Sequence, residues 1–357
     1  MLPCKNYHLH SAEGCIRRSL PKTVPLSKSI YNYYRQRKRS RGFESHWYVA
    51  TLTKGPKTMV RIITDSTSSL PKDVCEELNI EVISLIINRN SVEYIESETD
   101  LDAFYKDIYE MADAIPTSSQ PSPKKVRDAL EKHALAHEEV LGIFISSKMS
   151  GTFEGFVHGA QETRKNYPEF TYAAIDSTTN CMEMGFAVIA AAKAAKEGKS
   201  LEQCIEAAEE SLHCSRFIFA PESLTFLEKG GRIGKAAALI GHLINISPIL
   251  TVKDGEAGTL TKARTQKKAL EKMVKVLEKD IAQYGLKNLV VHYIGSRVPA
   301  EEWADKIINP IANMKAKVLP ASPVIGVHVG PALGIAYECK QRLPNKFTTT
   351  SPERVLS

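Results

Sequence analysis

The chain has 357 residues, 43% of them apolar, and a formal net charge of +6, a size and composition that suit two soluble domains. The charge is uneven: residues 1–58 hold 12 of the 47 basic residues but only Glu13 and Glu44 of the 41 acidic ones, which leaves 35 basic and 39 acidic residues in 59–357. A mildly acidic body excludes a general nucleic-acid footprint, and no apolar stretch reaches the roughly 18 to 20 residues that a membrane-spanning helix needs, so no stable membrane insertion is expected.

Residues 1–58 show no amphipathic period and carry the basic run Arg35-Gln-Arg-Lys-Arg-Ser-Arg41. This basic extension is expected to be disordered or not native. It reads as an upstream start with Met59 the true one, as an Arg-rich transit segment, or as a basic arm for an anionic partner. From Met59 onward, short apolar strands alternate with helices. Strands are expected at 59–65, 80–87, 140–146 and 170–176, and helices at 100–112, 124–136, 185–197 and 201–212. That alternation argues for a parallel sheet covered by helices.

A second pattern opens near Arg216. Strands are expected at 217–220, 248–253, 288–294 and 324–329. Helices are expected at 223–229, 234–244, 265–284 and 300–312, with a turn at Asp254-Gly255. The fold class is therefore α/β, with one domain over 59–215 and a second over 216–337. The tail, 338–357, is polar, contains Pro344 and Pro352, and is expected to be frayed. The seven cysteines are widely spaced and include no Cys-x-x-Cys. They fit reduced thiols in a cytoplasmic protein better than a disulfide framework or a zinc site.

Four hydroxyl-rich turns stand out: Thr64-Asp-Ser-Thr-Ser-Ser69, Thr117-Ser-Ser-Gln-Pro121, Ser146-Ser-Lys-Met-Ser-Gly-Thr152 and Asp176-Ser-Thr-Thr-Asn180. Hydroxyls beside free backbone N–H groups at helix starts suit a carboxylate or a phosphate, though each Ser or Asp taken alone reads as an N-cap. Ser150 stands where a nucleophile could stand. The G-x-S-x-G elbow needs glycine two positions to either side, and Lys148 and Thr152 occupy those places. Gly230-Gly-Arg-Ile-Gly-Lys235 has three residues before its Gly-Lys pair and Ala236 after it, so it is not a nucleotide-binding phosphate loop. Its glycines allow a sharp turn that aims Arg232 at a carboxylate or phosphate; the plainer reading is a helix C-cap with a solvated Arg. His133 and His137, at i and i+4, lack a third ligand and read as a solvated helix face, so no metal is expected. His328, read here on a strand entering a Gly-Pro turn, could donate to an oxyanion.

Seven segments, in order, resemble one family. They are Ile63-Thr-Asp-Ser-Thr-Ser-Ser-Leu-Pro71, Ser118-Ser-Gln-Pro-Ser122, Ser146-Ser-Lys-Met-Ser-Gly-Thr-Phe153, Asp176-Ser177, Leu227-Glu-Lys-Gly-Gly-Arg232, Ile246-Ser-Pro-Ile-Leu250 and His328-Val-Gly-Pro331. The family is DegV, which includes the fatty-acid-binding subunits of bacterial fatty acid kinase, and the resemblance runs from Met59 to about Tyr337. It implies two α/β domains with an acyl chain buried in a lipid pocket between them. The carboxylate of a long-chain fatty acid such as palmitate would be held by Ser118, Ser150 and His328. Thr152, Asp65, Ser66 and Arg232 would support them, and Arg264 would face the kinase. Ser118 replaces the family's usual Thr and keeps the hydroxyl. Cys181-Met-Glu183 and Gly330-Pro-Ala332 depart from the family's Ser-Met-Gly and Gly-Pro-Gly.

The function implied is a carrier, not itself an enzyme and needing no cofactor. It would present the fatty-acid carboxylate to a fatty acid kinase catalytic subunit for phosphorylation to acyl phosphate, feeding phospholipid synthesis. Residues 83–87 and 236–250 are expected to line the apolar slot. Two other readings stay open: a serine-dependent acyl hydrolase using Ser150, and a regulatory protein in which bound lipid is only structural.

Overall fold

A computed structural model describes residues 59–240, 246–344 and 353–356; the basic extension over 1–58 lies outside them. Strand β1 (Val60–Asp65) is buried along nearly its whole length and pairs in parallel with β2 (Ile80–Ile83), reached through the helix Lys72–Leu78. The strand expected over 80–87 is two strands. The chain leaves the first sheet after Ile83 and resumes as β3 (Ile86–Arg89), which forms a small antiparallel sheet with β4 (Val92–Ile95) and β5 (Thr117–Ser119). The helix expected over 100–112 is only a short turn, Leu101–Tyr105, followed by 3-10 turns.

Helix α1 (Pro123–Leu135), capped by the Ser122 side chain, returns the chain to the main sheet as β6 (Glu139–Phe144). Helix α2 (Thr152–Asn166) and β7 (Tyr172–Asp176) follow, then α3 (Cys181–Lys196) and α4 (Leu201–Cys214). The sheet order β2-β1-β6-β7 is wholly parallel, as the alternation predicts. Its faces are packed by two apolar clusters, one including Leu141, Ala191 and Leu212 and the other Ile63, Leu130 and Phe156.

Strand β8 (Ser215–Pro221) opens a six-stranded sheet, ordered β10-β9-β8-β13-β11-β12. Its members are β9 (Ser247–Lys253), β10 (Glu256–Ala263), β11 (Leu286–Ile294), β12 (Lys317–Pro320) and β13 (Ala332–Cys339). The hairpin between β9 and β10 turns on Asp254 and Gly255, with φ of 53° and 83°, the left-handed pair that a tight two-residue turn demands. Helix α5 (Gln266–Tyr284) covers one face of this sheet.

Three expectations fail here. Residues 324–329 are not a strand: they lie in helix α6 (Pro323–Val329), with Pro323 at its first position. Of the apolar helix expected over 234–244, the described part is a 3-10 stretch, Gly234–Leu239, and 241–245 lie outside the described residues. The tail expected to fray is ordered where it is described: β13 runs to Cys339, and β14 (Glu353–Leu356) pairs antiparallel with β7.

Candidate functional site

Three of the four hydroxyl-rich turns follow β1, β6 and β7 and so share the carboxyl edge of the parallel sheet, where α/β sheets place their ligands. The fourth comes from elsewhere: Ser118 lies on β5, opposite Ile87 of the small sheet. A cavity of about 330 Å³ brings these segments together. Its apolar wall comes from Leu85, Phe219, Leu227, Val252, Val324 and Ile325, and its polar rim from Ser118, Ser150, Asn180, Arg232 and His328. A mostly apolar hollow with a few converging polar groups is the usual build of a small-molecule site.

Ser118 Oγ stands 2.8 Å from His328 Nε2. His328 occupies the last turn of α6, which ends at Gly330 with φ 73°. The ring fits against backbone: a Cβ on Gly230 would come within 2.7 Å of His328 Nδ1. Nδ1 is buried and has no partner among the described residues. Burial, helped by the positive charge of Arg232, pushes the imidazole pKa down to about 4, so the ring is neutral at physiological pH. The start of α6 is held by Tyr105, whose hydroxyl donates to the carbonyls of Ala321 and Ser322 at 2.8 and 3.0 Å.

Ser150 precedes α2, and its Oγ is 2.8 Å from Thr152 Oγ1, which is buried. Arg232 is exposed. Its Nε donates to the Met149 carbonyl at 3.3 Å and its Nη1 to the Gly230 carbonyl at 2.8 Å. The Gly-Gly-Arg segment is the helix C-cap of the plainer reading, and it also brings Arg232 to the cavity. Gly231, at φ 69°, ends the short helix Thr225–Lys229, the Arg232 N–H closes it on the Leu227 carbonyl, and the guanidinium reaches the cavity rim.

Asp65 and Ser66 are off the cavity. Asp65 is fully buried, takes hydrogen bonds from the Thr67 N–H and hydroxyl and from the Ile145 N–H, and so ties the end of β1 to the end of β6. Burial raises its pKa to about 6 against those bonds. Ser66 Oγ accepts from the Leu85 N–H at 3.0 Å, bracing one wall residue. Arg264 is exposed, one residue past β10 and just before α5. Of the expected slot lining, Leu85 is present. None of the described residues in 236–250 lines the cavity; Val252 and Ala257 do so instead.

Asn180 is a cavity residue that sequence reasoning passed over, because an Asn closing a Ser/Thr run reads as an N-cap. It does precede α3, yet its side chain makes no cap bond. Nδ2 lies 3.2 Å from Met149 Sδ, and Oδ1 is buried without a partner among the described residues. Turning the amide over would put its N–H donors where Oδ1 now lies.

His133 corrects another expectation. It is buried, not solvated, with ring nitrogens 2.7 Å from Glu81 and 2.6 Å from Glu138. Among the described residues, no group of three or more His, Cys, Asp or Glu is placed to hold a metal, and no helix is long and apolar enough to cross a membrane.

The chemistry of a serine hydrolase finds little support in these positions. Ser150 pairs with a threonine, not with a base. The serine–histidine pair at the cavity, Ser118–His328, lacks among the described residues a third group to orient the ring, and a pKa near 4 makes a weak base.

A family model described as "Uncharacterised protein, DegV family" matches residues 59–340. A DegV domain-containing protein of Clostridium acetobutylicum is 41% identical over 289 residues, which cover 80% of this chain and 99% of the relative. Among solved structures, a fatty-acid-binding DegV family protein from Thermus thermophilus matches with a TM-score of 0.70 and 28% identity, covering 79% of this chain and all of that one. DegV from Bacillus subtilis, described as a fatty acid binding protein, matches with a TM-score of 0.71 and 28% identity over the same shares.

Proposed function

This chain belongs to the DegV family, and from that membership together with the cavity we propose that it binds a long-chain fatty acid such as palmitate and presents the carboxylate to a partner fatty acid kinase. The observation that carries the reading is the division of the cavity into an apolar wall and a polar rim. Each methylene placed against that wall contributes about 0.8 kcal/mol. At the rim, the Ser118 and Ser150 hydroxyls, His328 and the Asn180 amide supply neutral donors, and Arg232 supplies the nearby positive charge. Neutral donors hold a carboxylate without the permanent ion pair that would slow its exchange for an acyl phosphate.

Arg264 belongs to the kinase-facing surface in this reading. An exposed Arg acts on encounter and docking rather than on the buried ligand. The test begins with native mass spectrometry of the purified full chain, which should carry a co-purified fatty acid. With ATP and a fatty acid kinase catalytic subunit, that acid should become acyl phosphate. Arg264→Ala should keep its lipid and lose most of this coupling. A chain that purifies empty, and stays empty when offered palmitate, would sink the proposal.

A further inference from the structure

A second cavity, of about 600 Å³, lies between the Ser66–Pro71 segment, the helix Lys72–Leu78, the start of the 3-10 turn Glu96–Glu98 and the loop before α6. Its wall is apolar, with Leu70, Val82 and Leu319. Its polar lining includes Ser66, Glu96 and Ser322. Glu96 is 7% exposed and Ser322 is 2% exposed. Glu96 Oε2 and Ser322 Oγ are both buried and stand outside hydrogen-bond geometry with every described residue, although the Ser322 hydroxyl lies beside the Glu96 carboxyl. Two orphaned oxygens bordering one hollow are a costly arrangement unless something donates to them.

The charges around the hollow decide what that something is. The lining holds two carboxylates, Glu96 and Glu76, and one cation, Lys72, whose exposed side chain reaches 4.0 Å from Glu76. An anionic headgroup would meet the buried carboxyl of Glu96 there, a group the first cavity lacks, so this is not a second copy of the fatty-acid site. A bare metal ion would find one buried carboxylate in a hollow far larger than itself. An ammonium group supplies donors to both orphaned oxygens and neutralises Glu96, and an attached apolar body fills the rest. We propose that the second cavity is a binding site for a primary amine with an apolar body, its ammonium seated on Glu96 and Ser322.

Burial raises the Glu96 pKa to about 7, against the pull of the Ser322 and Ser66 hydroxyls beside it and with a push from the Asp65 charge. The other titratable groups facing it are Tyr105, Cys181 and, across the hollow, Lys72, Cys75 and Glu76. An ammonium ion binds the ionised carboxylate, so its affinity should follow the loss of the Glu96 proton.

The probe is n-hexylammonium chloride, titrated calorimetrically into the full-length protein, with n-hexanol as the neutral comparator. Binding should saturate at one site and tighten about tenfold from pH 6 to pH 8, the change in ionised fraction across a pKa near 7. Glu96→Gln should weaken binding at least about tenfold at pH 8 and flatten the pH dependence. Glutamine has the shape of the carboxyl that is already half protonated at pH 7, so the fold should survive. Ser322→Ala, a milder change, should weaken binding about fivefold. Both variants should keep bound fatty acid, because neither residue lines the first cavity. No saturable binding means a hollow filled by water alone and overturns the proposal. Equal, pH-independent binding of hexanol overturns the assignment to amines. A pH dependence that persists in Glu96→Gln assigns it to Asp65 and overturns the role of Glu96.

Discussion

Ser118 Oγ and His328 Nε2 meet at 2.8 Å across 210 residues of sequence, joining the short strand β5 to the last turn of helix α6. The contact closes one side of the polar rim. It also sets a protonation question, because the partner nitrogen Nδ1 is buried and unpaired. A neutral ring can present either nitrogen as donor, so Ser118 can give or take the hydrogen bond according to what occupies the cavity.

His328 should stay neutral in the ligand-free protein down to about pH 5, since burial and Arg232 hold its pKa near 4. The sign of the linkage follows. The unfolded chain takes up a proton near pH 6.5 that the folded ring refuses, so the ring's contribution to stability is complete above pH 6.5 and is lost as pH falls toward 4. A carboxylate beside the ring should raise its pKa. Histidine NMR titrations with and without palmitate would check this. Titration above pH 6 without ligand, or no upward shift with it, contradicts the assignment.

Ser118→Ala and Ser150→Ala should each weaken palmitate binding by about 1 to 3 kcal/mol, or about 5- to 150-fold, because a buried carboxylate loses a donor. The tail remains in contact, so neither variant should abolish binding. Titration of delipidated protein with palmitate gives the comparison with wild type. An unchanged affinity in both would place the carboxylate elsewhere.

Val252→Phe tests where the tail lies. The new ring would occupy the hollow beside Val252 on β9. Affinity for long acids should fall by about 0.8 kcal/mol, or about fourfold, for each methylene displaced, while shorter acids bind as before. Equal losses across a series of chain lengths would show that the substitution damages the fold and not the tail site.

Gly330→Ala should cost at least about 1 to 3 kcal/mol of stability. The position sits at φ 73°, and an added Cβ would collide with the Phe226 ring. Phe226 belongs to the core that surrounds the cavity, so weaker palmitate binding should accompany the drop in melting temperature. A variant that melts like wild type would mean that the turn relaxes freely.

Glu96→Gln should stabilise the protein at pH 8 and change little at pH 4. The folded pKa, near 7, lies above the ordinary 4.5. Stability is therefore full below pH 4.5 and is lost as pH rises through 7, by a few kcal/mol at most. Chemical denaturation at the two pH values measures the difference, and a variant less stable at pH 8 than wild type reverses the argument.

The parallel sheet was legible because β1 and β6 are apolar runs between polar turns, and a sheet covered on both faces needs nothing more elaborate. Asp65 looked like a ligand-site residue because an acidic residue at a strand end serves a ligand or ties two strands; it lies off the cavity, and the Ile145 N–H on its carboxylate shows the tie. The segment 324–329 misled because a run of β-branched residues fits a buried strand or a buried helix equally well. Pro323 at the first position and Gly326 set against Tyr105 settle it as helix. Asn180 was invisible because its significance is an unfilled hydrogen bond in a folded cavity, which no local spacing encodes.

Strand β7 would be an outer strand of the parallel sheet were it not for β14, whose antiparallel pairing covers it from Ala173 to Asp176. Every residue of β7 is buried, so its bare rim would offer an apolar template to any extended peptide. Shortened forms of the chain that lose Glu353–Leu356 should therefore self-associate through this rim as they are concentrated, with no change at the lipid cavity. On that outcome the few residues of β14 would guard against aggregation, a duty separate from anything the cavity does.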